Sequence, residues 1–214
     1  MKPRLLIFLV VLLLSASACQ LLSSNGEQEI PNDVLFQDDF SDSSSGWDRV
    51  SEETGETNYY DGAYRIYVND PNTDAWANPG LDFSDVHLEV EATKMNGPDD
   101  NDFGLICRAV SEEKFYFFII SSDGYYAIGK LDGENQQLIS TEAMLPSEAI
   151  KQGGTTNLMR ADCIGDKLSL YVNGRKVQEV HDSQYTNGDV GLIAGTFDTP
   201  GVEVHFDNFK VRKP

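Results

Sequence analysis

Residues 114–130, KFYFFIISSDGYYAIGK, decide the fold. From Phe115 to Ile120 an extended chain is apolar on both sides, with Phe115, Phe117 and Ile119 on one and Tyr116, Phe118 and Ile120 on the other. A strand coated on both faces is central in its sheet, and its second face lies under loops or forms a ligand-facing concavity. Ser121–Gly124 is hairpin-like, because a glycine after an aspartate supplies the positive φ that a tight turn requires. The chain then returns as GYYAIGKL, in which Tyr126, Ile128 and Lys130 fall on one side.

The same grammar extends in both directions. Short alternating runs recur from Asp33 onward: VLFQDDF, GAYRIYV, VHLEVEATKM, DFGLICRAV, NQQLIST, TNLMRADCI, KLSLYVNG, RKVQEVH, DVGLIAGTF and VEVHFDNFKV. Gly, Asn, Asp and Pro separate them, including LDGEN and the Asn173-Gly174 pair. Leu88, Val90 and Ala92 alternate with His87, Glu89 and Glu91, so that strand has one wet face. Ser147 to Gln152, SEAIKQ, is briefly helical in pattern. About a dozen strands without crossover helices predict an all-β fold of antiparallel sheets packed face to face. That strand number favours a jelly roll over a seven-strand immunoglobulin sandwich.

The beginning of the chain carries a different message. Lys2 and Arg4 precede the apolar run Leu5 to Leu14, and Ala16-Ser17-Ala18 forms a small-residue exit, the layout of a secretory signal peptide. Ten apolar residues in a helix span about 15 Å, half of a roughly 30 Å hydrocarbon layer, so a resident membrane helix is not expected. Small residues directly before Cys19 also resemble a bacterial lipobox, although Ala16 stands where Leu is usual. Residues 1–18 are therefore expected to be removed, and Cys19 to carry the lipid. Residues 19–33 are expected to tether a 34–214 domain to the outer side of the cell membrane.

Removing residues 1–18 takes away two basic residues and no acid, so the net charge moves from −19 to −21. Such a surface repels phosphate backbones and excludes nucleic acid as a partner. The remaining cysteines, Cys107 and Cys163, lie in β-patterned segments. Export permits a disulfide between them, and the alternative is two buried free thiols.

Four segments together resemble the concanavalin A-like lectin/glucanase superfamily. They are FQDDFSD with its following GW (Phe36–Trp47), the Phe103–Lys130 hairpin region, DKLSLYVNG (Asp166–Gly174) and GDVGLIAGTFDTPGVEVHFDNFKV (Gly188–Val211). Within the superfamily they look most like laminin-G-like and 3-keto-disaccharide hydrolase-like domains of bacterial exported proteins. The resemblance implies two curved antiparallel sheets, adjacent first and last strands, and often a sugar-binding concave face. Fold alone does not fix the function.

Three kinds of site are weighed. Laminarinase-type relatives place their acids in an E-x-D-x-x-E strand, and the comparable strand here offers Glu89 and Glu91 without the central Asp or the distal Glu. Catalysis by that pair is not expected, and His87, His181 and His205 are scattered singly. For sugar binding, Trp76, Arg108, Tyr116, Tyr126 and Lys130 are expected to share one sheet face, rings covering apolar C–H faces and polar groups taking hydroxyls. The competing reading of these residues is core plus an amphipathic rim. For a structural calcium, the candidate cofactor, Asp39 and Asp207 are expected to meet where the terminal strands pair. The oxygen-rich stretches Asp70–Asp74 and Asp99–Asp102 read as solvated loops, and Ala75 and Leu81 exclude an EF-hand. The sequence thus points to a lipid-anchored, non-catalytic module for a glycan or another extracellular ligand. An exported 3-keto-disaccharide hydrolase and an adhesive protein that binds surface proteins are the rivals.

Overall fold

A computed structural model of the chain describes residues 33–214. The expected leader, Cys19 and the tether up to residue 32 lie outside the described residues. Among the described residues there are sixteen strands and no helix. In chain order they are β1 (Val34–Asp38), β2 (Val50–Glu52), β3 (Gly55–Tyr60), β4 (Ala63–Val68), β5 (Thr73–Ala77) and β6 (Val86–Asn96). Then come β7 (Asn101–Ser111), β8 (Lys114–Ile120), β9 (Tyr125–Asp132), β10 (Asn135–Leu138) and β11 (Leu145–Pro146). The chain ends with β12 (Asn157–Ile164), β13 (Lys167–Val172), β14 (Arg175–His181), β15 (Asp189–Thr196) and β16 (Val202–Arg212). The twelve patterned runs are all strands. The four additional ones, β2, β3, β5 and β11, run from two to six residues and bury at most one residue each, so alternation alone does not reveal them.

Two antiparallel sheets result. One has nine strands in the order β14-β13-β12-β6-β16-β4-β3-β2, with β1 paired to β16, so first and last strands are neighbours. The other has seven, in the order β10-β9-β8-β7-β15-β5, with β11 against β9. β8 is central, as its double coat of apolar residues requires. At the β13–β14 hairpin Asn173 and Gly174 have φ of 49° and 80°, the paired positive values of a type I′ turn. SEAIKQ forms a turn instead of a helix: Ile150 N donates to Ser147 O, and Asn157 draws Lys151 into a loop bonding pattern.

The main core lies between the sheets. Ile66, Val68, Leu88, Val90 and Phe206 from one meet Phe103, Leu105, Tyr116, Phe118 and Ile128 from the other, all buried. At one end Phe40, Trp47, Tyr59, Tyr64 and Phe209 pack edge to face or tilted, with Trp47 Nε1 donating to Asp38 Oδ2 at 2.9 Å. Cys107 of β7 and Cys163 of β12 form a buried disulfide that joins the two sheets directly. Closing a 56-residue separation stabilises by about 4 kcal/mol on the chain-entropy model.

The outer face of the seven-stranded sheet holds a second, smaller cluster of Ile106, Phe115, Phe117, Ile119, Ala127 and Ile193. This is the other coat of β8. Edge strands β10 and β5 lie five spacings apart in the sheet, about 24 Å if it were flat. Yet Gln136 of β10 donates to Asp74 of β5 at 3.1 Å. That bond requires the sheet to curl strongly, and the second cluster is the floor of the concavity.

Candidate functional site

Trp76 sits at the meeting point of two spaces on this concave side. A cleft of ≈ 570 Å³ runs along the edge between β5 and the β2–β3 hairpin of the other sheet. Its walls include Arg49, Glu52, Glu56, Asp74, Trp76, Asn78 and Glu112. A smaller cavity of ≈ 200 Å³ lies under the curl, bounded by Trp76, Asp74, Phe115, Phe117, Leu131 and Gln136. The larger volume falls inside the range of about 300–1,000 Å³ usual for small-molecule sites. Trp76 is half-buried, and its ring tilts against Phe115 with centroids 5.4 Å apart. Arg49 is held over the Tyr59 ring at 4.7 Å, and Asn78 donates through Nδ2 to Val190 O at 2.7 Å, so the cleft's polar groups are supported from behind.

The other residues expected beside Trp76 lie elsewhere. Arg108 belongs by simple alternation with Ile106, but it occupies a β-bulge with φ of 53° that turns its side chain out of that pattern. It is 1% exposed. Nε donates to Ser84 O at 3.0 Å, and Nη1 to Gly165 O and Tyr185 O at 2.8 and 3.0 Å. Nη2 donates to Asp85 Oδ1 at 3.0 Å. Arg108 therefore ties three loops together, with four of its five N–H donors spent on them and its side chain buried away from any ligand. Tyr116 is buried in the main core, and Tyr126 packs half-buried against it. Tyr116 OH and Lys130 Nζ each reach Asp182, both at 2.6 Å. Burial raises the Asp182 carboxyl, but these two bonds outweigh it and hold the group below its ordinary value. The shared open face expected for Arg108, Tyr116, Tyr126, Lys130 and Trp76 is thus corrected: the first four serve the core and its loops, and Trp76 alone lies on the concave side.

The expected meeting of Asp39 with Asp207 is also not found. The register sets Asp38 against Phe209, and each carboxylate is closed by its own turn: Ser41 N and Oγ donate to Asp39, and Asn208 N to Asp207. Among the described residues no three His, Cys, Asp or Glu side chains stand together as a metal cluster. Glu89 and Glu91 lie on the wet face of β6, near Arg212 and Asn208.

What alternation missed is a pair of acids. Asp74 and Asp102, read as members of two separate solvated loops, lie in β5 and β7 on either side of Gly195 in β15, in register with it. A methyl on Gly195 would overlap Asp74 Oδ1 and stand 2.8 Å from Asp102 Oδ2, so both carboxyls fill the space that the glycine leaves. Asp102 is 4% exposed, and its Oδ1 is buried without a hydrogen-bond partner. Burial first, and the Asp74 carboxyl second, hold Asp102 well above the ordinary carboxylate range. Burial raises Asp74 as well, against the bond from Gln136. A glycine inside the strand GLIAGTF was the available signal, since interior strand glycines mark a close approach.

The architecture is shared with known structures. The carbohydrate-binding module CBM66 from Bacillus subtilis superposes with a TM-score of 0.64 at 18% identity, covering 79% of this chain and 96% of that one. The catalytic domain of an endo-1,3-beta-glucanase (laminarinase) from Thermotoga petrophila RKU-1 gives 0.58 at 11%, covering 84% and 97%. The beta-glucanase of Bacillus licheniformis gives 0.59 at 8%, covering 84% and 98%. At these identities the likeness is one of fold, the concanavalin A-like jelly roll. No curated protein matches the chain in sequence. The family described as the 3-keto-alpha-glucoside-1,2-lyase-like domain matches residues 33–212, nearly the whole described body, and the chain belongs to that family.

Proposed function

We propose that this domain binds carbohydrate in the cleft beside Trp76, and that a lipid on Cys19 holds it at the outer side of the membrane. The observation that carries the first part is the position of Trp76: a half-buried indole between an open, polar-walled cleft and an apolar-floored cavity. A flat ring covers the apolar C–H face of a sugar, and the carboxylates and Arg49 around it match hydroxyls. Membership of a family described by a glucoside-acting enzyme and the fold shared with a carbohydrate-binding module support the same reading. Five carboxylates face one arginine across the cleft, which disfavours acidic polymers and favours neutral sugars.

The test of the first part is a glycan array probed with the purified protein and with Trp76→Ala. Binding to neutral glycans that falls at least about tenfold in the variant, as loss of a hot-spot aromatic does, supports the site. Binding that is indifferent to Trp76 refutes it. For the second part, Cys19→Ala is expected to move the protein from the membrane fraction to the medium, and an unchanged distribution refutes lipidation.

A further inference from the structure

We infer that the ≈ 200 Å³ cavity under the curl is a site for a small methylated ammonium ion of the choline type, held by aromatic rings and by the acid pair of Asp74 and Asp102. This site stands apart from the carbohydrate reading and does not depend on it. The cavity lies below the range of about 300–1,000 Å³ usual for small-molecule sites, so it takes one small group and not an oligosaccharide.

The acid pair lacks a counter-ion. Asp74 Oδ2 accepts from the neutral amide of Gln136, and Asp102 Oδ1 is buried with no hydrogen-bond partner. Both Asp102 oxygens are aimed at the space over Gly195 that Asp74 Oδ1 shares, and a methyl there would stand 2.8 and 3.0 Å from them. Among the described residues neither acid forms an ion pair. Two carboxyls so placed do not both ionise, so the pair keeps one proton and one negative charge at neutral pH. One monovalent cation balances that charge. Calcium is a poor match, because it takes about six to eight oxygen ligands and the cavity offers Asn72, Asp74 and Gln136 among apolar walls.

The walls select the kind of cation. The Trp76 and Phe115 rings meet at 60° with centroids 5.4 Å apart, and Phe117 follows Phe115 on the same face of β8, about 7 Å along the strand. Leu131 and Ile193 complete the apolar enclosure. A primary ammonium would leave N–H donors unpaired against such walls. A trimethylammonium group has none, and its methyls pack on rings whose π systems attract the charge. Asp74 borders the cavity and Asp102 lies behind it, so Asp74 presents the charge to the ion. From β15 the pair meets Gly195, and from β10 the neutral Gln136. The charged groups that share the cleft with Asp74 are Arg49, Asp48, Glu52, Glu56 and Glu112. Those four carboxylates repel phosphate, so the site suits the free ion and not a phosphocholine headgroup. The net charge of −19 draws cations toward it.

The experiment titrates the purified protein with choline chloride, with neohexanol (its uncharged carbon isostere), with phosphocholine and with calcium chloride. Calorimetry gives the affinities, and the two tryptophan indole resonances give the place. Wild type is expected to bind choline saturably, with the Trp76 resonance shifted and that of Trp47 still. Choline is expected to be preferred to neohexanol by a factor on the order of tenfold, the size of a desolvated cation–π contact. Asp74→Asn is expected to abolish that preference and leave neohexanol binding as it was. Asp102→Asn is expected to keep the preference, since Asp74 then carries the charge alone. Should Asp74→Asn fail to fold, the pH dependence of the wild type decides. Choline affinity is expected to hold near neutral pH and to be lost on acidification as the pair takes its second proton, with neohexanol affinity unchanged. Equal affinity for choline and neohexanol, a preference that survives Asp74→Asn or is lost in Asp102→Asn, or an affinity for choline indifferent to acid overturns the inference. So does phosphocholine binding as tight as that of choline, a Trp76 shift driven by calcium and not by choline, or no response to choline at all. Each of these leaves the carbohydrate reading in place, because sugar binding is measured without choline.

Discussion

At the residue scale, two buried charged side chains illustrate opposite solutions to desolvation. Arg108 is surrounded by acceptors, three backbone carbonyls and Asp85, so it is a joint between loops. Arg108→Ala is expected to cost about 3–5 kcal/mol, the range for stripping a buried charge network of one partner. Urea denaturation measures it, and a loss under 1 kcal/mol contradicts the structural role. Asp102 is the reverse case, an acid without a donor. Its raised folded-state pKa means that the native state holds a proton that the unfolded chain has released. The stability this group contributes is complete below the ordinary value of about 4 and is lost as pH rises through the folded value. Asp102→Asn is therefore expected to be more stable than wild type at neutral pH and to lose that advantage at acid pH. Thermal melts at several pH values decide it, and a variant that is less stable at neutral pH contradicts the assignment. Neither role could be read from alternation. Arg108 is redirected by a bulge, and Asp102 matters through a partner 28 positions away, met across a third strand.

At the element scale, β7 carries much of the load. It supplies Cys107 to the inter-sheet disulfide, Arg108 to the loop joint, and Asp102 to the acid pair. Replacing both Cys107 and Cys163 by alanine is expected to lower stability by about 4 kcal/mol, mainly through the unfolded chain. Because the bond is wholly buried, the native protein is expected to resist mild reductant, and fast reduction without unfolding contradicts its placement in the core. The contact of β10 with β5 sets the depth of the cavity. Gln136→Ala removes the bond across its mouth and is expected to speed ligand exchange at Trp76, measured as a higher dissociation rate. An unchanged rate contradicts a gating contact. Eleven of the twelve patterned strands were legible because burial along the strand writes a period of two into sequence; β10 is the exception, since none of its four residues is buried. β5 was not legible, because Thr73–Ala77 is an edge strand with only Ala77 fully buried, and it is the strand that carries the site.

At the scale of the whole molecule, the sequence-level pattern gave the sandwich, the adjacency of its terminal strands and its extreme acidity, since these depend on residues summed over many positions. The site is a matter of curvature. A seven-stranded sheet that curls until its edges meet creates a concave floor, and the curl is not encoded in any one segment. The placement of Trp76 in the cleft can be tested with an internal control, because the chain has two tryptophans. Trp47 is buried in the core with its indole N–H bonded to Asp38, whereas Trp76 stands between cleft and cavity. In a ¹H–¹⁵N spectrum the two indole signals can be followed while a neutral oligosaccharide is titrated in. The expected result is a saturable shift of the Trp76 indole with the Trp47 indole unmoved; binding that leaves Trp76 still, or moves both indoles alike, contradicts carbohydrate recognition on the concave face.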